Sequence, residues 1–166
     1  MFTRFRRLRM NSALRDLLQE TRITKNDFIY PLFAVEGLGI KKEITSMPGV
    51  YQMSEDYILE ECEKLLALGL KHILLFGIPS IKDSVGSIAL EEEGIVAKTI
   101  RAIKSRFGSE MCVSADLCFC EYTDHGHCGI INPKTKSVDN DLTLEILGIQ
   151  ATVLAEAGAD IIAPSG

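Results

Sequence analysis

The sequence contains no tryptophan and only five prolines. It has no apolar run approaching the roughly 18 residues of a membrane span, so a membrane-spanning helix is not expected. Thirteen glycines and five prolines among 166 residues are too few for a collagen-like or low-complexity chain. No Gly-x-Gly-x-x-Gly or Walker A pattern accompanies the first apolar segment, which counts against a dinucleotide or nucleotide site. An export signal is not expected either. Arginines stand at positions 4, 6, 7 and 9, but the charges in MNSALRDLLQE interrupt the apolar run that a signal requires. Asp16 and Glu20 come too early for a mitochondrial presequence. Five cysteines without an export signal read as reduced thiols or metal ligands, and the expected localisation is cytoplasmic.

What is present fits one ordinary soluble domain, with 46% apolar and 25% charged residues. Its net charge of −5 is unevenly placed. Residues 1–25 carry seven basic and two acidic side chains, a local +5, while the remainder carries eleven and twenty-one, or −10. A basic arm can bind nucleic acid. Here only Phe2 and Phe5 accompany the arginines, and no recognition motif follows, so no nucleic-acid partner is expected. The arm is expected to lie on an acidic body, its own or that of a partner subunit.

Beyond the arm, which has a short helical segment at 12–20, apolar runs and helical periodicities alternate. FIYPLFAVEG begins at Phe28, with Pro31 arguing against full pairing along its length. Residues 37–49 read as a loop. Ser54 is placed to cap a helix running to about Leu68, with Ile58, Leu59, Cys62, Leu65 and Leu66 on one face. HILLFG at 72–77 is a continuously apolar strand of the type covered on both faces. A helix at 91–106 turns Ile95, Val96, Thr99, Ile100 and Ile103 inward, and the acidic run 91–93 suits its N-terminus. Residues 111–119 form a third strand, 120–137 a long loop, 141–157 a third helix and 159–165 a fourth strand.

Strands separated by helices of this length imply parallel pairing and right-handed crossovers. Both an open doubly wound sheet and a closed barrel use that order. Either places its ligand side where strands run into the following loops. A complete barrel of eight strand–helix units needs about 250 residues. Gly166 directly follows the fourth strand, with no helix to cover it, so the chain is expected to stop partway through a fold.

The strongest chemical signal is DLCFCEYTDHGHCG at 116–129. Cys118, Cys120 and Cys128 fall at a strand end, with His125 and His127 among them. Thiolates are soft donors that suit zinc, and an extended Cys-x-Cys pair can reach one ion while two glycines let the chain return with the third. Three ligands leave a position open, as catalytic zinc sites do. The histidines can instead contact substrate or hold the loop. Asp116 and Asp124 are candidate carboxylates beside the site, and ordinary reduced cysteines in a polar loop are the bland alternative. Cys62 and Cys112 read as small core residues, and His72 as structural. Ser165 stands at the ligand end of its strand. Lys82 lies in a ligand-side loop, but no lysine sits within an apolar strand, where burial would depress its pKa for Schiff-base chemistry.

These residues resemble the delta-aminolevulinic acid dehydratase (porphobilinogen synthase) family, specifically its N-terminal half. The resemblance runs through RRLR at 6–9, YPLFAVEG at 30–37, SMPGVYQMS at 46–54, LFGIPSIKDSVGS at 75–87, DLCFCEYTDHGHCG at 116–129, NDLTLE at 140–145 and AEAGADIIAPS at 155–165. It implies an α/β fold, the first half of a (β/α)8 TIM barrel (residues 26–166) preceded by an extended oligomerisation arm (residues 1–25). The implied reaction condenses two 5-aminolevulinate molecules into porphobilinogen with loss of two waters, in haem and tetrapyrrole biosynthesis. By resemblance, Cys118, Cys120 and Cys128 bind zinc, Asp116 and Ser165 belong to the active site, and the full-length enzyme is a homo-octamer. A regulatory magnesium is also compatible with the family. The family's two Schiff-base lysines lie on later strands, so the 166-residue piece alone is expected to be inactive. The alternative is a non-catalytic zinc-binding or assembly module derived from this enzyme.

Overall fold

A computed structural model describes residues 2–165. Four strands, β1 (Tyr30–Val35), β4 (His72–Ile78), β5 (Cys112–Leu117) and β6 (Ile161–Pro164), form the parallel body of one sheet. Two short strands, β2 (Lys41–Glu43) and β3 (Tyr51–Met53), extend it, giving the order β2-β3-β1-β4-β5-β6. β3 runs parallel to β1 and antiparallel to β2. The helices are α1 (Ser12–Leu17), α2 (Glu55–Ala67), α3 (Ile95–Phe107) and α4 (Asn140–Glu156).

The order β1-β4-β5-β6 never reverses. With right-handed crossovers, α2, α3 and α4 must then all lie on the same face of the sheet. Burial alternates accordingly along the strands. Leu32, Ala34, Ile73, Leu75, Val113, Ala115 and Leu117 are buried in the core that includes Ile58, Leu65, Ile100 and Ile103 of the helices. Their neighbours Phe33, Leu74 and Phe76 are only half-buried, and the Phe33 and Phe76 rings stack at 5.1 Å on the helix-free face. This corrects the expectation that HILLFG is covered on both faces. It also excludes a doubly wound sheet, which needs helices on both sides.

Pro31 fits its place because β3 reaches β1 only at Phe33 and Ala34, leaving Pro31 with a ladder neighbour on the β4 side alone. Residues 37–49 are not simply a loop, since they contain β2. Its three residues are all exposed, so no apolar pattern betrays them. Tertiary contacts hold this pair: the Ile40 N–H donates to Ser54 Oγ at 2.9 Å, and the Ser54 N–H returns to the Ile40 carbonyl at 2.9 Å. Ser54 is the residue before α2, as expected, but its hydroxyl serves this junction and Asp56 instead of capping the helix. The helix expected from residue 91 is α3, which begins at Ile95 just after the acidic run, and its five expected inward residues are all buried.

In the arm, α1 is shorter than expected and is capped by Asn11, whose Oδ1 accepts from the Leu14 N–H at 2.9 Å. Phe2 and Phe5 are almost completely exposed. The arm's end is fastened where Lys25 Nζ donates to the Leu68 carbonyl at 2.6 Å. Cys62 is buried as expected, and burial pushes its thiol pKa up to about 12. Cys112 differs from its core assignment. It is half-exposed because it alternates onto the helix-free face.

Candidate metal centre and neighbouring polar pair

The loops at the C-terminal ends of β4 and β5 are joined to each other. Asp83 and Thr123 form a bridge, and the Asp124 N–H donates to the Asp83 carbonyl at 3.0 Å. Asp83 also orders its own loop by accepting from the Val85 and Ser87 N–H groups, each at 3.0 Å, and from the Ser87 hydroxyl. These bonds hold its carboxyl below the usual carboxylate range. Gly86 adopts φ +65°, and a Cβ there would stand 2.6 Å from Cδ1 of the fully buried Phe119. The glycine thus allows the β4 loop to close over the residue between Cys118 and Cys120.

After β5 the chain stays pinned as it turns. The Leu117 carbonyl accepts from Ser165 N at 3.3 Å, and the Phe119 carbonyl accepts from Tyr122 N and Thr123 N, both at 2.9 Å. This strand-to-turn transition puts the Cys118 and Cys120 sulfurs 3.1 Å apart, and the loop returns Cys128 so that all three Sγ atoms lie within 4.8 Å. Tetrahedral zinc with bonds near 2.3 Å separates its sulfurs by about 3.8 Å. Small adjustments of the three thiols satisfy that geometry, so the donor set fits a soft divalent ion. Burial, together with hydrogen bonding to its two thiol neighbours, pushes the Cys120 pKa up. For Cys128, the bond with Cys120 works downward, but Cys118, burial and nearby negative charge leave it raised. Cys120 and Cys128 therefore resist ionising, and a bound dication reverses that balance.

The expected carboxylates separate. Asp116 alternates with Ser114 onto the helix-free face, and Ser165 lies two residues beyond Ala163, its register partner on β6. The Ser165 hydroxyl donates to Asp116 Oδ1 at 2.9 Å. Burial raises the Asp116 pKa, and the serine bond opposes that shift. Asp124 is exposed and stands outside the cluster. Glu121, not anticipated from sequence, takes its place: a carboxylate oxygen of Glu121, one of Asp116 and the Cys118 sulfur lie within 4.8 Å of one another. Burial raises the Glu121 pKa, and its Oε2 has no hydrogen-bond partner among the described residues. The only sequence signal for it is its position directly after the Cys-x-Cys pair.

Neither histidine joins the described ligand groups. His125 holds the loop instead. Its Nδ1 accepts from the His127 N–H at 3.1 Å, which leaves Nε2 to donate to the Ser84 carbonyl at 3.2 Å. Lys82 is exposed.

The family model for delta-aminolevulinic acid dehydratase matches residues 2–166, essentially from end to end. The chain belongs to that family. A delta-aminolevulinic acid dehydratase of Helicobacter pylori (strain J99) is 59% identical over 166 residues, covering 99% of this chain and 50% of the relative. Those of Synechococcus elongatus and Bacillus subtilis (strain 168) are 53% and 50% identical, covering 97% and 99% of this chain and 50% of each relative. The crystal structure of delta-aminolevulinic acid dehydratase (porphobilinogen synthase) from Toxoplasma gondii ME49, in complex with the reaction product porphobilinogen, superposes with a TM-score of 0.93. It is 32% identical, and the match covers 99% of this chain and 47% of that one. The chain therefore spans about half the length of the curated relatives it matches. Its one-sided parallel sheet is half of the porphobilinogen synthase barrel, and the helix-free face corresponds to the barrel interior. No helix among the described residues is long and apolar enough to cross a membrane.

Proposed function

We propose that this chain supplies the metal-bearing half of a zinc-dependent porphobilinogen synthase, a lyase that condenses two 5-aminolevulinate molecules into porphobilinogen with loss of two waters. One observation carries the reading. In a chain matched throughout by the family model, three thiols within 4.8 Å stand beside the Asp116 and Ser165 pair at the C-terminal ends of parallel strands. That end of a barrel is where active sites are built.

Cys118, Cys120 and Cys128 hold the zinc, which when bound supplies a Lewis acid for the second substrate molecule. Asp116 and Ser165 position substrate polar groups on the interior face. Raised by burial, Asp116 is suited to hold or release a proton there, and Ser165 orients its carboxylate. Glu121 adds negative charge that favours a cationic group. Residues 26–166 form the first part of the catalytic barrel, and residues 1–25 form an oligomerisation arm that packs on a neighbouring subunit, in an octamer for the full-length enzyme. This reading is compatible with a separate regulatory magnesium and puts the enzyme in the cytoplasm.

The Schiff-base lysines belong to the half of the family length that this chain does not span, so the 166-residue chain alone forms no porphobilinogen. The test adds 5-aminolevulinate and zinc to the chain alone and to the chain joined to the C-terminal half of a close relative. The expected result is one zinc per chain in both, and a pyrrole product, detected colorimetrically, only in the joined protein. A joined protein that folds and binds zinc yet makes no pyrrole would sink the catalytic reading and leave a zinc-binding assembly module.

A further inference from the structure

Gln150, on α4, is 1% exposed. Its Oε1 has no hydrogen-bond partner among the described residues. Burying an amide with half its hydrogen-bonding capacity unmet costs on the order of 1–3 kcal/mol. An apolar side chain of similar size would escape that cost. Among the described residues, the one polar contact the amide makes goes to the metal loop: Nε2 donates to the Cys118 carbonyl at 3.5 Å, the outer limit of a hydrogen bond. The opposite assignment of the amide would set its oxygen against that carbonyl, so the contact itself fixes which atom is nitrogen.

The place of this contact gives it meaning. Regular pairing of β5 ends at Leu117, whose carbonyl takes the last ladder-like bond from Ser165 N. The turn containing Cys120 begins at the Phe119 carbonyl. Cys118 lies between them, and the described backbone offers its carbonyl no partner from ladder or turn. Gln150 fills that gap from the helix side of the sheet, 32 residues away in sequence.

We propose that Gln150 is a positioning residue for the metal centre. It clamps the Cys118 backbone so that the Cys118 sulfur stays in register with those of Cys120 and Cys128. The inference rests on those three cysteines being the metal ligands. Groups that orient a ligand without touching the ion typically change metal affinity by about 10- to 100-fold when removed.

Gln150→Met keeps the length of the side chain and removes both polar atoms. Zinc competition against a chromophoric chelator, the thiolate-to-cobalt charge-transfer band of the cobalt-loaded chain and the melting temperature of the metal-free chain are measured on the unmutated chain and on Q150M. The expected result is a metal-free melting temperature equal to or above the unmutated value, zinc affinity lower by about tenfold, and a shifted band. Equal affinity and an identical band overturn the role of Gln150 while leaving the metal centre standing. No charge-transfer band in the unmutated chain overturns the metal centre itself, and the inference with it. If Q150M melts lower or does not fold, the unmutated chain decides by NMR. The Gln150 side-chain amide resonances are expected to shift as Cd2+ is titrated in, and resonances that stay put while the cysteine signals move overturn the inference.

Discussion

The Ser165 hydroxyl donates to Asp116 Oδ1 at 2.9 Å across two parallel strands, joining residues 49 positions apart at the mouth of the half-barrel. The bond opposes the effect of burial on the Asp116 carboxyl. Ser165→Ala is therefore expected to raise the Asp116 pKa further. Carbon-detected NMR titration of the aspartate carboxyls reads this directly, and an unchanged or lowered midpoint would show that the bond does not form in solution. In the joined enzyme, Asp116→Asn is expected to lower kcat by at least about 100-fold, in the range of losing a proton-transfer group.

Zinc that binds the folded chain alone stabilises it by mass action, by about 2.7 kcal/mol at a free concentration 100 times Kd. Excess zinc is thus expected to raise the melting temperature of the unmutated chain by several degrees. Cys120→Ser, which removes the central thiol of the group, is expected to lose most of that rise. An equal rise in both proteins would place the zinc elsewhere.

Lys104 Nζ bonds Asp160 Oδ2, which also accepts from the Val113 N–H at 2.7 Å and so ties α3 to the starts of β5 and β6. Burial works to raise the Asp160 pKa, but the ammonium and the N–H outweigh it and leave the carboxyl depressed. A depressed carboxylate stabilises the fold above its unfolded pKa, and that contribution disappears as pH falls through the folded value. Asp160→Asn is expected to cost about 0.5–1 kcal/mol at pH 7, the scale of a pair screened by solvent. In denaturant melts the difference should shrink below about pH 4. A difference that persists at pH 2 would point to packing.

Phe119, between Cys118 and Cys120 in sequence, is fully buried and touches the space above Gly86. Phe119→Ala is expected to cost about 3–5 kcal/mol from the cavity alone. Gly86→Ala introduces both a left-handed backbone for a non-glycine residue and a clash with that ring, at about 1–3 kcal/mol. If chemical denaturation shows G86A to be neutral, the β4 loop does not close on Phe119 as described.

Periodicity and composition were enough to place the four parallel strands and the helices between them, because each buried strand and amphipathic helix writes its own pattern locally. The Cys118, Cys120 and Cys128 group was equally legible, since three soft donors in one short loop need little from the rest of the chain. The β2 and β3 pair was not. Three exposed residues at 41–43 carry no apolar signal, and long-range bonds between Ile40 and Ser54 hold them. Glu121 and Gln150 were illegible for a related reason. A glutamate in a polar loop and a glutamine on a helix look like surface residues until the packing of β5 buries them beside Cys118. The sequence by itself determined the order of elements and the chemistry of the donor atoms, which depend on neighbours along the chain. Only the tertiary structure decided which face of the sheet stays open and which carboxylate joins the sulfurs. Those outcomes depend on the sense of the crossovers and on contacts between residues far apart in sequence.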